Sequence, residues 1–132
     1  MFSMNEIQYE DLCYLKQKYD LEIELFLYED ISNINEVLYK DTPVGVFIFN
    51  KYLNGVLIDY FEIFKKERNK QLGRKFILKL IEDVKEDLKY GEKLIIYLTP
   101  LPEKIKFWQS CGFSRRPNDN SMLIYEYVSI KR

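Results

Sequence analysis

The chain has 132 residues, near the commonest length for a single domain, and its 47% hydrophobic and 31% charged residues exclude a disordered class. A formal net charge of −1 weighs against a nucleic-acid binder, which carries a basic excess along the phosphate backbone. With no His and only Cys13 and Cys111, no metal site is expected, and free thiols suit a cytoplasmic protein. No basic region followed by an apolar core opens the chain, so no signal peptide is expected. Nor does any apolar run approach the roughly 18 residues of a membrane span.

In chain order, residues 4 to 9 read as a short strand and residues 10 to 19 as a helix. LEIELFLY, residues 21 to 28, alternates imperfectly and fits either strand or helix. EVLYK (36–40) precedes a turn at DTP, VGVFIFN (44–50) is a strand, and YLNG (52–55) carries the Asn-Gly pair of a hairpin. VLIDYFEIF (56–64) follows, so an antiparallel meander is expected across residues 36 to 64.

After Gly73 the period changes. Phe76, Ile77, Leu80, Ile81, Val84 and Leu88 fall on one helical face, with Gly91 as a C-cap. KLIIYL (93–98) reads as a central strand, and strand, turn, helix, strand is a crossover unit with parallel flanking strands. TPLP breaks the chain, EKIKFWQSC forms a short helix ending at Gly112, PNDNS is a turn, and MLIYEYVSI (122–130) is a final strand. The reading is one α+β domain over residues 1 to 132.

The junction KKERNKQLGRKF (65–76) concentrates Lys65, Lys66, Arg68, Lys70, Arg74 and Lys75 between the strand and the long helix. The first N–H groups of a helix have no helical partner, and with the helix dipole they attract anions. Gly73 lets backbone approach a ligand closely, and Arg68 offers fixed donors to a phosphate. The plainer reading is a solvated turn with a packing glycine.

The segment from Ile63 onward resembles the cofactor motif of the Gcn5-related N-acetyltransferase (GNAT) family. That motif is Arg or Gln, two residues, Gly, one residue, then Gly or Ala; here it falls on Arg68, Asn69, Lys70, Gln71, Leu72 and Gly73. KFWQSCGF (106–113) resembles the family's aromatic pair followed by Gly-Phe. The resemblance covers about residues 36 to 130. It implies a mixed, mostly antiparallel sheet flanked by helices, with a splayed strand pair (56–64 and 93–98) forming an acyl-CoA cleft. It further implies acetyl-CoA, or another acyl-CoA, held by the N–H groups of Gln71, Leu72, Gly73 and Arg74. Lys70 and Lys75 would reach its outer phosphates. The pantetheine arm would pair with backbone around Ile63 and Lys65, where a donor near Ile63 polarises the thioester carbonyl.

Two positions depart from the family. Gln71 stands in place of the first motif glycine, its side chain either crowding the diphosphate or pointing outward. Trp108 stands where many relatives carry a Tyr that protonates the leaving thiolate. Indole cannot act as a general acid, so Trp108 either walls the cofactor channel or packs the core.

For the base that deprotonates an attacking amine, Glu62 is the first candidate. Alternation puts it on one face with Tyr60 and Phe64, where burial beside aromatics raises a carboxylate's proton affinity. The alternative is a half-buried strand residue facing solvent. Tyr97, Tyr125 and Tyr127 either line the acceptor side or pack the sheet. Cys111 lacks a basic partner for covalent chemistry.

The leading expectation is therefore an N-acyltransferase acting on a small-molecule, peptide or protein amine, without nucleic-acid or membrane partners. A non-catalytic acyl-CoA-binding or regulatory domain of the same fold is the second reading, and a small interaction protein pairing through its strands is the third. A homodimer through the last strand is compatible with each.

Overall fold

The computed structural model describes residues 1–116 and 119–130. It is a mixed α+β fold of seven mostly antiparallel strands flanked by helices. In chain order these are β1 (Phe2–Ile7), α1 (Tyr9–Tyr19), β2 (Ile34–Tyr39), β3 (Thr42–Tyr52), β4 (Gly55–Ile63), α2 (Leu72–Glu86), β5 (Lys93–Leu98), α3 (Ile105–Ser110), β6 (Ser114–Arg116) and β7 (Asp119–Val128). No described helix is long and apolar enough to cross a membrane. The chain groups into two compact units: residues 1–50 with 58–73, and residues 51–57 with 74–132.

In the first unit the strand order is β1-β2-β3-β4. The β1–β2 register runs antiparallel from Phe2↔Tyr39 to Ile7↔Ile34. The β2–β3 turn sits at Lys40 and Asp41, whose φ values of 50° and 67° are those of a two-residue turn matched to strand twist. That is one residue ahead of the turn expected at DTP. Between β2 and β3 the register jumps from Val37↔Gly45 to Leu38↔Pro43, leaving Val44 as a bulge. The Val44 carbonyl accepts instead from the Phe64 N–H at 2.8 Å, just past the end of β4. Leu12 and Leu15 of α1 pack with Leu21, Ile23, Tyr28, Ile34, Val46, Ile48 and Phe64 to form this unit's core.

Residues 21 to 28 are neither strand nor α-helix. Leu21–Glu24 is extended and unpaired, and Leu25–Tyr28 forms a 3-10 turn. Leu21 and Ile23 are buried while Glu22 and Glu24 are exposed, so the alternation is real although no strand neighbours it. Lys16 satisfies the carbonyls instead, its Nζ donating to Leu21 O at 3.0 Å and Ile23 O at 2.7 Å.

In the second unit the order is β4-β5-β7-β6, with β4 contributing its first residues. β5 and β7 pair antiparallel from Lys93↔Val128 to Leu98↔Leu123. The hairpin before β4 lies where Asn-Gly indicated, but Leu53 takes the left-handed position (φ 48°), and Gly55 already belongs to β4. Gly55 is needed for close approach: a Cβ there would lie 2.2 Å from the Ile95 carbonyl oxygen. The long helix ends at Glu86, so Leu88 falls outside it. Gly91 is accordingly no helix cap; its N–H donates to Ser129 O at 2.9 Å as the chain turns into β5. The final strand runs from Asp119 to Val128, and the turn expected at PNDNS falls partly outside the described residues.

Gly45 sets the approach of β3 to the end of β4. A Cβ there would stand 2.5 Å from the Glu62 carbonyl oxygen and 3.2 Å from Ile63 Cα, both backbone atoms that a side-chain rotation cannot move. Gly45→Ala is expected to destabilise the protein by about 1–3 kcal/mol, the usual cost of forcing a methyl into filled space. A urea or guanidinium midpoint comparison measures it.

Candidate functional site

The end of β4 carries the densest polar arrangement of the first unit. Strand alternation puts Tyr60 and Glu62 on one face, and the Tyr60 hydroxyl donates to Glu62 Oε1 in a short hydrogen bond. The same oxygen accepts the Glu22 N–H at 2.9 Å, from the unpaired extended segment. Glu62 Oε2 accepts from Arg68 Nη2 at 3.0 Å. Glu62 is only 6% exposed, so these three donors fill most of a buried carboxylate's acceptor sites. This is a different setting from the half-buried, solvent-facing residue that alternation also allowed.

Beyond β4 the chain makes a 3-10 turn over Lys65–Glu67 before reaching α2. Phe64, Lys65 and Lys66 are tied to the end of α1. Phe64 stacks on Tyr19 with ring centroids 3.8 Å apart and planes 6° from parallel. Lys65 Nζ meets Asp20 Oδ2 at 2.7 Å, and Lys66 Nζ lies 5.0 Å from the Tyr19 ring centroid. The Lys65 hydrogen bond holds the Asp20 carboxyl below its ordinary range. Arg68 turns back onto β4, its Nε donating to the Ile63 carbonyl at 2.9 Å.

The backbone then alternates. Arg68 is extended (φ −75°), Asn69 is left-handed (φ 70°), Gln71 is left-handed (φ 58°), and α2 begins at Leu72. Such alternation turns successive N–H groups toward a common concavity suited to an anion, and it runs directly into a helix N-terminus. Gln71, in place of the motif glycine, holds a conformation that glycine adopts without strain, and its side chain is exposed. Lys70 pairs with Glu67 at 2.9 Å, a surface contact that an incoming anion displaces at little cost.

The remaining expected residues lie in the second unit. Arg74 donates from Nε and Nη2 to Ser110 O, each at 3.3 Å, and Lys75 is exposed on α2. Trp108 is buried, with edge contacts to Phe107 and Phe113 at centroid distances of 5.1 and 5.3 Å. Tyr97 is buried and donates to Asn54 Oδ1 at 2.7 Å. Tyr125 and Tyr127 flank Lys85 Nζ at 5.2 and 4.4 Å from their centroids. Burial pushes the Cys111 thiol up, which leaves it a poor nucleophile.

What the sequence left unseen is the donor set around Glu62. Tyr60 was marked only by its spacing, whereas the Glu22 N–H and the inward turn of Arg68 carry no local signal. The carbonyl-capping Lys16 likewise reads as one more solvated lysine of a helix face.

No protein-family model matches the chain, and no curated protein sequence matches it. Solved structures do. The Bacillus subtilis N-acetyltransferase YlbP, in complex with coenzyme A, superposes with a TM-score of 0.68 at 14% identity, covering 96% of this chain and 97% of that one. An acetyltransferase of the GNAT family from Bacillus anthracis matches with a TM-score of 0.61 at 14% identity, over 96% and 94% of the two chains. The ribosomal-protein-S18-alanine N-acetyltransferase of Escherichia coli gives 0.59 at 14% identity, over 100% and 96%. The chain has the GNAT fold. At this identity the likeness is one of architecture, and it spans nearly the whole of each chain. The GNAT resemblance read from Arg68–Gly73 and KFWQSCGF is thus borne out at the level of fold.

Within this GNAT fold Tyr60 holds its proton more tightly than an ordinary phenol. Burial first, then its hydrogen bond to Glu62, raise its pKa far above the ordinary 10.0. The phenol therefore remains a donor to Glu62 across the neutral range. The stabilisation this gives is fully present below the unfolded tyrosine's pKa and is lost as pH rises beyond it, because the unfolded chain ionises first. Tyr60→Phe is expected to cost about 1.5–3 kcal/mol at neutrality, as for a hydrogen bond to a charged group. It should also flatten the loss of stability above pH 10. Denaturant midpoints measured from neutral to alkaline pH check both effects.

Proposed function

We propose that the protein is an acyl-CoA-dependent N-acyltransferase, transferring an acetyl group to a primary amine. The observation that carries this reading is the run of left-handed Asn69 and Gln71 leading into the N-terminus of α2, on a fold shared with coenzyme-A-bound acetyltransferases. The loop fits a diphosphate: the left-handed turns at Asn69 and Gln71 suit inward-facing N–H groups, and the Gln71 side chain is exposed. Gln71, Leu72, Gly73 and Arg74 would hold the diphosphate through backbone N–H, with Lys70 and Lys75 adding charge. When bound, the acyl-CoA supplies a thioester whose C–S bond breaks as the amine nitrogen forms the new C–N bond.

The chain's own groups then handle the proton. Among the described residues, donors occupy both acceptor directions of Glu62 Oε1 and one of Oε2. The remaining lone pair of Oε2 takes the amine proton, directly or through one water. Ile63 and Lys65 offer backbone groups to the pantetheine arm. Trp108, packed between two phenylalanines, serves the fold rather than as an acid, so the thiolate takes its proton from solvent.

A second reading, a regulatory domain that binds acyl-CoA without turnover, is favoured by the commitment of Glu62 to three donors and by Trp108 at the family's Tyr position. One experiment separates the two. Acetyl-CoA, with ATP as control, is titrated while the melting temperature is followed, and thiol release is then assayed over a panel of primary amines. The enzyme reading expects a saturable rise in melting temperature with acetyl-CoA alone and amine-dependent thiol release. Glu62→Gln should lower that release by about 100-fold or more while changing acetyl-CoA affinity far less. Binding without release across the panel favours the regulatory reading, and no binding overturns both.

A further inference from the structure

We infer that Arg68 is a positioning residue that couples the loop Asn69–Gly73 to the extended segment Leu21–Glu24 through the carboxylate of Glu62. The coupling stands on geometry, and its bearing on acyl transfer rests on the reading above.

Arg68 grasps two neighbouring residues of β4 with one planar group. Its Nε holds the Ile63 carbonyl at 2.9 Å and its Nη2 holds Glu62 Oε2 at 3.0 Å. A guanidinium does this with donors fixed in a planar fork, whereas an ammonium presents all its donors from one point. The Arg68 side chain is 34% exposed while that of Glu62 is 5% exposed, so the pair is screened far less than a surface bridge. On the other oxygen of the same rigid carboxylate, the Glu22 N–H binds at 2.9 Å. A movement of Arg68 therefore turns the carboxylate and shifts the acceptor of Glu22.

Neither end of this linkage is held in a strand ladder. Leu21–Glu24 has no strand neighbour; Lys16 Nζ donates to the Leu21 and Ile23 carbonyls, and Lys16 O accepts the Leu21 N–H. The loop begins at the residue after Arg68, with two non-glycine residues in the left-handed region. An anion that draws the loop N–H groups together moves the Arg68 backbone, and the fork passes that movement to Glu62 and Glu22. The parallel tie, Lys65 to Asp20, is exposed, with Asp20 at 88%, and is correspondingly weak. A plain structural ion pair would stabilise the fold without selecting Glu22, which is the distinction a test must make.

Amide hydrogen exchange by NMR makes it, comparing Glu22 N–H with the Leu12 N–H of the buried helix face, which bonds to Gln8 O and to neither Arg68 nor Glu62. In the ligand-free protein Arg68→Met should speed Glu22 exchange by roughly tenfold or more relative to Leu12, the scale of losing support from a charged hydrogen bond. Arg68→Lys should give a smaller change in the same direction, and it supplies the comparison if the Met variant does not fold. Adding acetyl-CoA should slow Glu22 exchange in the wild type and leave it unchanged in the Arg68 variants. Equal acceleration of Glu22 and Leu12, or none at Glu22, overturns the coupling. If acetyl-CoA alters no amide at all, the acyltransferase reading fails, while the ligand-free comparison still decides the role of Arg68.

Discussion

A carboxylate at 6% exposure is the constraint around which the first compact unit is arranged. Removing an ion of this kind from water costs several kcal/mol, and each hydrogen bond from a good donor returns about 1.5–3 kcal/mol. Three such donors are enough to offset a burial cost of that order. Glu62 draws them from three separate segments: Tyr60 on its own strand, the Glu22 N–H forty residues earlier, and Arg68 in the following loop. The position of Leu21–Glu24 follows from this demand. An extended segment without a ladder must satisfy its backbone by other means, and here a carboxylate takes an N–H while Lys16 caps two carbonyls.

The same economy shapes the loop before α2. A non-glycine residue in the left-handed region carries about 1–2 kcal/mol of steric cost, and the loop holds two, Asn69 and Gln71. Strain of this kind persists only where neighbouring structure over-determines the backbone. Upstream, Arg68 is pinned to Ile63 and Glu62, and the Phe64–Tyr19 stack and Val44–Phe64 hydrogen bond fix the preceding turn. Downstream, Leu72 is buried as α2 begins. Between two fixed ends the chain has few ways to turn, which is why Gln71 holds a left-handed conformation that glycine would adopt without strain.

How much of this could be read in advance divides by range. VGVFIFN, VLIDYFEIF and KLIIYL announce strands because their alternation or apolar run reports burial directly, and α2 shows its helical stripe for the same reason. Residues 21 to 28 stayed ambiguous because side chains anchor them, the Glu62 carboxylate far along the chain and the Lys16 ammonium nearby, and an alternation pattern encodes neither. Gly91 looked like a cap because Leu88 extends the helical stripe, yet the backbone leaves the helix at Glu86 and Gly91 bonds to Ser129. In the site, Glu62 and its face-mate Tyr60 were legible from period two. Arg68 was legible as a cation but not in its direction: a guanidinium beside a phosphate motif suggests outward donors, and only the fold reveals a buried carboxylate behind it.

No family model matches the chain, while solved structures match its architecture at 14% identity. A loop working through backbone N–H groups needs the sign of φ at particular positions, and glycine is merely the residue that supplies it most easily. Asn and Gln also enter the left-handed region when held there, Asn with less strain. Arg68, pinned to Ile63 and Glu62, and buried Leu72 fix the two ends of the loop, so the left-handed turn at Gln71 is held by its neighbours and not by residue type alone.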